Sequence, residues 1–484
     1  MNKQQLKNIK VQNDYFEFKS KYYDFSNIQP LNNVKLISVN KKALELIGLN
    51  QDYVDEQEIV KLLNGQLHLK DSKPYSMVYA GHQFGYFVPQ LGDGRAINLG
   101  SINNWHLQLK GIGITKYSRS GDGRAVLRSS IREYLMSEAM YGLNIPTTRA
   151  LAIIGSNHIV YRDMGIETGS IVLRLSPSWI RIGTFEYFYT QESLEDLTQL
   201  ANFVIKQNYP HLEDIKEQKY EKLFYEIVNN TASLLAKWQS YGFMHGVMNT
   251  DNMSVAAVTI DYGPFAFMDS FKMDTICNHT DKHGRYSFEN QPLIAQWNLS
   301  SLATAFSPLV KNQEILDEYI RLFLHLYKKY YYELMNKRLG LDINISKDSN
   351  SALIKELLKI LQGCEVDYNL FFRRLSANDD SQIFELCRYP DVMQDWLDKY
   401  KTIRDSQDKD FENIARDINK INPKYILKNY IIQEAIDKAE AGDFSLVNDL
   451  LNIAQNPFDE HKEFGHYAKP TPKKFNNIKL SCSS

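Results

Sequence analysis

Residues Phe243–Pro264 read FMHGVMNTDNMSVAAVTIDYGP, and this stretch decides how the rest of the chain is interpreted. It places Asp251, Asn252 and Asp261 close together, with the short apolar run 255–260 between the second and the third. Carboxylate and amide oxygens suit Mg²⁺, which takes the rest of its shell from water and phosphate oxygens. The stretch therefore predicts a loop, a β-ribbon and a metal site for a metal–nucleotide complex.

The spacing of these residues is typical of kinase-like folds, in which a catalytic-loop Asn and a later Asp hold the metal. In that pattern the proton-accepting Asp lies five residues before the Asn. Here that position (252 − 5) is Val247, which cannot accept a proton. Either the chain lacks catalytic activity or its proton acceptor lies elsewhere.

The composition is that of a well-packed globular protein, with 12% aromatic residues among 484. The formal net charge of −2 indicates no attraction to nucleic acid or to anionic membranes. Residues 1–16 lack the apolar region of a secretory signal, and no run approaches the ~18 apolar residues of a membrane helix. We expect a cytoplasmic protein without nucleic-acid or membrane partners.

Cysteine usage also argues against a secreted disulfide framework, because the cysteines are scattered and form no CxxC motif. They are Cys277, Cys364, Cys387 and Cys482.

A glycine-rich stretch lies between residues 78 and 100. Its segment Leu91–Arg95, LGDGR, predicts a β-turn-β flap over a nucleotide, because glycines allow the backbone to approach phosphates; the alternative is an ordinary hairpin with a GDG turn. The alternating HLQLK segment that follows predicts a half-buried strand. Its Lys110 follows Gly92 at about the distance at which a kinase places its phosphate-binding lysine.

A second GDG sequence, Gly121–Gly123, lies within an insert that also carries Arg119, Arg124 and Arg128. Guanidinium groups suit bidentate contacts to phosphate, although a solvated surface loop would have the same composition. Two more arginines, Arg174 at a predicted strand end and Arg181 in the loop after it, could reach a polyphosphate together.

The segment Ser129–Leu143 predicts a helix, with apolar residues at helical spacing. Glu133 and Glu138 flank its apolar face, and either could orient Lys110. The helical pattern does not choose between them; we favour Glu133 and keep Glu138 as the alternative.

The predicted fold class is α+β: a bilobal, protein-kinase-like fold with a small β-rich N-lobe and a large, mainly helical C-lobe. We expect an N-terminal cap at 1–75 and an N-lobe with a glycine-rich flap at 76–185. A helical C-lobe with the metal loop would occupy 186–460, and a tail 461–484.

The chain resembles the selenoprotein O family, called YdiU in bacteria. The resemblance runs from about Tyr75 to the C-terminus and rests on long strings. These are YAGHQFGYFVPQLGDGRA, LQLKGIG with YSRSGDGRAVLRSSIRE, IPTTRALA, HGVMNTDNMS, IDYGPFAFMD and the terminal NPFDEH, HYAKP and SCSS.

This resemblance implies a protein adenylyltransferase that binds ATP in reversed orientation and transfers AMP to Ser, Thr or Tyr hydroxyls of proteins. It implies Mg²⁺ or Mn²⁺ on Asn252 and Asp261, and Asp251 as proton acceptor; Asp251 could instead support the metal ligands. The nucleotide-binding residues would be Gly92, Gly94, Arg95, Lys110, Asp122, Gly123, Arg174, Arg181 and Asp261.

Three alternatives stay open: Mn²⁺-dependent transfer of UMP by the same site, a kinase that transfers the γ-phosphate, and an ATP-binding pseudokinase scaffold. The family also has selenocysteine near this terminus in some members. Cys482 is therefore either an exposed tail thiol or the partner of Cys277 in a redox-dependent disulfide.

Overall fold

The computed structural model describes residues 5–50, 52, 54–162, 165–345, 347–475 and 480. They form a mixed α+β architecture, in which one large antiparallel sheet is followed by a long helical region. This confirms the predicted α+β class at that level.

Nine of the described strands form the large sheet, in the order β1-β3-β5-β6-β9-β8-β2, with β4 paired to β3 and β7 to β9. A second, small sheet consists of β10 and β11. The strands are β1 (Tyr23–Phe25), β2 (Lys35–Val39), β3 (Tyr75–Gln83), β4 (Tyr86–Gly92), β5 (Ala96–Ile102), β6 (Trp105–Lys110), β7 (Ala125–Val126), β8 (Arg149–Arg162), β9 (Gly165–Ser176), β10 (Phe243–Met244) and β11 (Ala266–Phe267).

The two faces of the large sheet differ because side chains alternate along a strand. In β6, Leu107 and Leu109 are fully buried in an apolar cluster shared with the N-terminal helices. Gln108 and Lys110 point to the other face, and the register sets Gln108 opposite Arg174 of β9. The predicted half-buried strand is therefore present, and its polar face carries the cationic side chains.

The first GDG sequence lies between β4 and β5, with a turn at Gly94 and Arg95, which agrees with the β-turn-β prediction for Leu91–Arg95. The alternative of an ordinary hairpin is wrong, because β4 and β5 do not pair with each other. The hairpin is formed by β3 and β4, with its turn at Phe84 and Gly85. The GDG segment instead joins β4 to β5 alongside β3, because the Asp93 N–H still donates to the Met77 carbonyl at 2.9 Å.

Three of the described helices lie among the strands in chain order, and the helical region that follows β9 packs into two apolar clusters. The helices are α1 (Lys41–Leu46), α2 (Glu56–Leu63), α3 (Leu127–Gly142), α4 (Ile182–Thr190), α5 (Leu194–Asn208), α6 (Lys219–Tyr241), α7 (Gln291–Phe306), α8 (Glu314–Leu339), α9 (Lys347–Gly363), α10 (Tyr368–Arg374), α11 (Asp380–Phe384), α12 (Pro390–Asp405), α13 (Phe411–Ile421), α14 (Asn429–Glu440) and α15 (Ser445–Gln455). Helix α3 begins two residues before the predicted Ser129.

The loop after α6 does not contain the expected β-ribbon over 255–260. Ala257 has φ +50° and its N–H donates to Ser254 at 3.1 Å, so the chain turns before a ladder can form. Isolated bridges join Met253 to Thr259 and Ser254 to Arg181 instead.

The described part of 1–75 adds β1 and β2 to the large sheet, where they pair with β3 and β8. The division of the chain at residues 75, 185 and 460 stays a prediction. Within the described ranges, every helix is too short or too polar to cross a membrane.

Candidate active site

A cavity of about 800 Å³ lies between the large sheet and the loop that follows β10. Its volume falls within the roughly 300–1,000 Å³ typical of small-molecule sites. Twelve predicted site residues line it: Gly92, Gly94, Arg95, Lys110, Asp122, Gly123, Glu133, Arg174, Arg181, Asp251, Asn252 and Asp261. The fold thus brings distant sequence segments to one place.

Lys110, at the end of β6, is paired with a carboxylate from α3. Its Nζ lies 2.7 Å from Oε2 of Glu133 and 3.5 Å from Oδ1 of Asp261. Glu138, the other candidate on α3, pairs with Arg149 at 2.7 Å in a fully buried ion pair. Of the two carboxylates, only Glu133 contacts Lys110, and Glu138 joins α3 to β8.

Two buried arginines converge on the same carboxylates. Arg174 Nη1 donates to Glu133 at 2.6 Å and to Asp261 at 3.2 Å. Arg181 Nη1 donates to Asp261 and to the Asp251 carbonyl, each at 2.8 Å. Only about 3% of each arginine is exposed, so water screens these charges little.

Asp261 is held ionised by these cations. Burial alone would raise its pKa, but Arg181, Lys110 and Arg174 together hold the pKa well below its usual value. Burial likewise opposes ionisation of Glu133, and Arg174 with Lys110 again lowers the pKa. Both carboxylates are therefore anionic at neutral pH.

Asp251 differs from Asp261 in its surroundings. Its Oδ2 accepts a 3.3 Å hydrogen bond from Gln83, and its buried Oδ1 has no hydrogen-bond partner among the described residues. Burial raises its pKa to about 6, although Arg181 acts in the opposite direction. A carboxylate with a pKa nearer neutrality is better suited to exchange a proton than one with an ordinary value.

Asn252 and Asp261 present the oxygen donors that a hard divalent cation requires. The Asn252 Nδ2 donates to the Val247 carbonyl at 3.1 Å, which leaves its Oδ1 as the atom available to a cation. The donor set fits Mg²⁺ or Mn²⁺, because both residues line the cavity and Asp261 is ionised.

The glycines of the two GDG sequences are required by close packing. A Cβ on Gly94 would lie 2.9 Å from the Tyr117 carbonyl oxygen, and a Cβ on Gly123, at φ +67°, would lie 2.0 Å from that of Gly113. The first GDG loop thus packs directly against the segment at Tyr117, and the second GDG sequence packs against Gly113 at the start of its own insert. Side chains at these positions would separate the loops that form this wall of the cavity.

Asp122 in the second GDG loop is bound by Arg162 of β8, in two hydrogen bonds of 2.8 and 3.1 Å. Two arginines of the same insert have other partners. Arg128 pairs with Glu167 at 2.8 Å and does not line the cavity. Arg124 lines the cavity but donates to the Gln29 carbonyl at 2.7 Å.

Several polar residues that contact the site were not predicted from the sequence. Gln108 accepts a hydrogen bond from Arg174 and donates to Asn98 at 3.1 Å, and Asn98 in turn donates to Asp93 at 3.0 Å. The alternation in HLQLK places Gln108 on the same face as Lys110, and this signal could have found it. Asp93 lies in the GDG loop and was not singled out.

Cys277, one member of the proposed cysteine pair, is not among the described residues that line the cavity. Cys277 Sγ lies 3.8 Å from the Met244 carbonyl oxygen, and a Cβ on Gly246 would lie 2.8 Å from that sulfur. Cys482 lies outside the described residues, so the redox pairing stays a prediction.

Comparison with known proteins assigns this fold and cavity to an enzyme class. The family model described as "Protein adenylyltransferase SelO" matches residues 5–455, which is nearly the whole chain. The protein is therefore an enzyme of the nucleotidyltransferase class. It belongs to the SelO family.

Curated relatives agree with this assignment over nearly their full lengths. Three proteins named "Protein nucleotidyltransferase YdiU" illustrate the range of species. The one from Pseudomonas fluorescens (strain Pf0-1) is 44% identical, with 94% of this chain and 95% of that protein aligned. Those from Myxococcus xanthus (strain DK1622) and Thioalkalivibrio sulfidiphilus (strain HL-EbGR7) are 42% and 43% identical, each with 99% of both chains aligned.

Proposed function

We propose that the protein transfers AMP from ATP to Ser, Thr or Tyr hydroxyls of proteins, using a bilobal, kinase-like fold that binds ATP in reversed orientation. The family supports nucleotidyl transfer. The observation that supports AMP transfer with reversed ATP is the convergence of Lys110, Arg174 and Arg181 on Asp261 at the buried end of the cavity.

The position of these cations favours the reversed orientation. Lys110, Arg174 and Arg181 are buried, whereas Arg95 at the first GDG loop is exposed. The terminal phosphates carry most of the charge of ATP and would occupy the buried cationic end. The α-phosphate would then lie nearer the opening, where the hydroxyl of another protein can reach it.

The charge of the cavity also suits a metal–triphosphate complex. Among the described residues that line it, seven are Lys or Arg and five are Asp or Glu, a formal excess of two positive charges. A triphosphate with one divalent cation keeps a net negative charge, so the two are complementary. Such positioning and charge stabilisation provide most of the catalysis in phosphoryl-type transfer.

The proposed reaction is a single displacement at the α-phosphorus. The acceptor hydroxyl oxygen forms a bond to this phosphorus, its proton passes to Asp251, and the bond to the bridging oxygen of the β-phosphate breaks. Pyrophosphate leaves, held by Lys110 and Arg174. A Mg²⁺ or Mn²⁺ ion on Asn252 and Asp261 would neutralise phosphate charge.

Asp251 takes the role that Val247 cannot fill, and this favours an active enzyme over a pseudokinase scaffold. Its Oδ1, which no described residue hydrogen-bonds, and its position in the cavity lining support this assignment. The same cavity could accept UTP, because the contacts to a nucleobase are set by groups other than the phosphate-binding residues.

Peptide mass spectrometry tests this proposal. The protein is incubated with ATP or UTP and Mg²⁺ or Mn²⁺, and modified peptides are analysed for adenylyl, uridylyl or phosphoryl groups. Adenylyl groups on hydroxyl side chains, absent in Asp261→Asn, are expected. Phosphoryl groups alone would contradict the proposal. Uridylyl groups in preference to adenylyl groups would show that UTP, and not ATP, is the preferred donor.

A further inference from the structure

The end of β3 lies directly against the loop that carries Asp251. The His82 N–H donates to Thr250 Oγ1 at 2.7 Å, and Gln83 donates to Asp251. The Phe84 N–H donates to Asn249 Oδ1 at 3.2 Å. Residues 82–84 of the β3–β4 hairpin are thus hydrogen-bonded to residues 249–251 of this loop. We call these three hydrogen bonds the hairpin–loop contact.

Glu186 of α4 connects the two sides of the hairpin–loop contact. Its Oε1 lies 2.6 Å from His82 Nδ1, and its Oε2 accepts a 2.6 Å hydrogen bond from Thr250. The Glu186 side chain is only 5% exposed and does not line the cavity. A buried carboxylate that bridges two groups holds both in place, and its loss leaves them without that partner.

Close packing gives the Asp251 carboxylate little freedom beneath the hairpin. A Cβ on Gly81 would lie 2.6 Å from Asp251 Oδ1, and a Cβ on Gly183 would lie 3.3 Å from the Asp251 Cα. Gly183 belongs to α4, as does Glu186. Helix α4 and the hairpin therefore both fix where Asp251 lies.

We propose that Glu186 is a positioning residue, which holds the hairpin and the loop together through His82 and Thr250 and so sets the position of Asp251 toward the acceptor hydroxyl. This inference rests on the proposed function, in which Asp251 accepts the proton. Glu186 itself contacts neither nucleotide nor acceptor.

Hydrogen exchange tests the contact independently of activity. In Glu186→Gln, the backbone amides of peptides covering residues 77–87 and 247–253 are expected to exchange faster than in the parent protein, while peptides of α12 are unchanged. Glu167→Gln, which alters a Glu–Arg pair outside the cavity, is the matched control. Unchanged exchange in both peptides would overturn the proposal.

Transfer kinetics test the positioning role. With α-labelled ATP, Mg²⁺ and a denatured protein mixture as acceptor, Glu186→Gln should lower kcat about tenfold or more, because small displacements of reacting groups have effects of this size. The KM for ATP should change less than about twofold. A similar loss of kcat in the control Glu167→Gln, or a rise in the KM for ATP as large as the fall in kcat, would contradict the positioning role.

The outcomes separate the two proposals. If the parent protein transfers label and Glu186→Gln transfers it equally well, the positioning role is wrong and the proposed function stands. If the parent protein transfers none, both proposals are wrong, whatever the exchange data show.

Thr250 provides a second pair of variants should Glu186→Gln fold poorly. Thr250→Val removes the oxygen that bonds His82 and Glu186, whereas Thr250→Ser retains it. Loss of transfer in Thr250→Val and retention in Thr250→Ser are expected. Equal activity of the two variants would contradict the inference.

Discussion

Arg174 donates a 2.6 Å hydrogen bond to Oε1 of Glu133, and Lys110 Nζ lies 2.7 Å from Oε2 of the same carboxylate. Glu133 therefore fixes two of the buried cations of the cavity at once. Without it, Lys110 and Arg174 would share Asp261 alone, and a buried charge would be left partly uncompensated.

Glu133→Gln should lower kcat/KM for ATP about 10- to 100-fold, because it displaces Lys110 and Arg174, the two cations that we propose bind phosphate. Glu138→Gln is the matched variant, since Glu138 is an equally buried glutamate of the same helix, paired with Arg149. Glu138→Gln should lower the melting temperature while leaving the Kd for ATP within about threefold of the parent value. Transfer kinetics measure kcat/KM, calorimetric titration measures the Kd for ATP, and thermal unfolding measures the melting temperature. Equal loss of ATP affinity in both variants would contradict the assignment.

The sequence alone could not show which of Glu133 and Glu138 pairs with Lys110. Both flank the apolar face of α3, and helical periodicity cannot tell which one points to β6. The ion-pair partners in the structure distinguish the two glutamates, since Arg149 of β8 pairs with Glu138. That pairing depends on how α3 packs on the sheet, which no local pattern specifies.

Asp261→Asn should abolish the metal dependence of ATP binding. The amide removes the negative charge that Arg181, Arg174 and Lys110 surround and that a divalent cation requires. We expect ATP affinity measured with Mg²⁺ to fall to that measured with EDTA. Stronger binding with Mg²⁺ than with EDTA in this variant, as in the parent protein, would show that Asp261 does not hold the metal.

His245 should make folding stability depend on pH. It is almost fully buried, its Nε2 lies 2.8 Å from the Ile260 carbonyl, and its Nδ1 accepts from the Val247 N–H at 3.4 Å. Burial lowers the pKa of His245 below its usual value of about 6.5. The unfolded chain therefore binds the proton more readily, and stability should fall as pH drops below about 6.5.

Melting temperatures at pH 7.5 and pH 5.5 measure this effect. His245→Asn should be less stable than the parent protein at pH 7.5, but it should lose less of its remaining stability on acidification. An identical pH response in the two proteins would show that another group is responsible.

Gly123→Ala should destabilise the second GDG loop by about 1–3 kcal/mol, because the added Cβ meets a carbonyl oxygen at a strained φ. Gly442→Ala is the control, since Gly442 also has a positive φ, +90°, yet no described atom lies within 4 Å of the added Cβ. The Gly442 variant carries the backbone strain alone. Chemical unfolding of both variants separates the effect of the steric clash from that of the backbone strain. Equal losses in the free energy of unfolding would show that the contact with Gly113 does not matter.

The residues that sequence identified are those whose chemistry is local. Lys110, Arg174 and the segment from Asp251 to Asp261 were predicted to line one site because a strand pattern or a short motif surrounds them, and all of these named residues line the cavity. The β-turn-β pattern of the first GDG sequence was likewise local, but the pairing of β4 with β3 rather than with β5 depends on the whole sheet and could not be predicted. Glu186 and Gln83 gave no signal, because their roles depend on contacts between distant segments.

Paired labelling of ATP distinguishes adenylyl transfer from phosphoryl transfer by this protein. The protein is incubated with Mg²⁺ or Mn²⁺ and ATP labelled at either the α- or the γ-phosphate, and protein-bound label is measured after denaturation. Adenylyl transfer predicts label from the α-phosphate only, lost in Asp251→Asn and Asp261→Asn. Label from the γ-phosphate only would make the protein a kinase and contradict the reversed orientation of ATP.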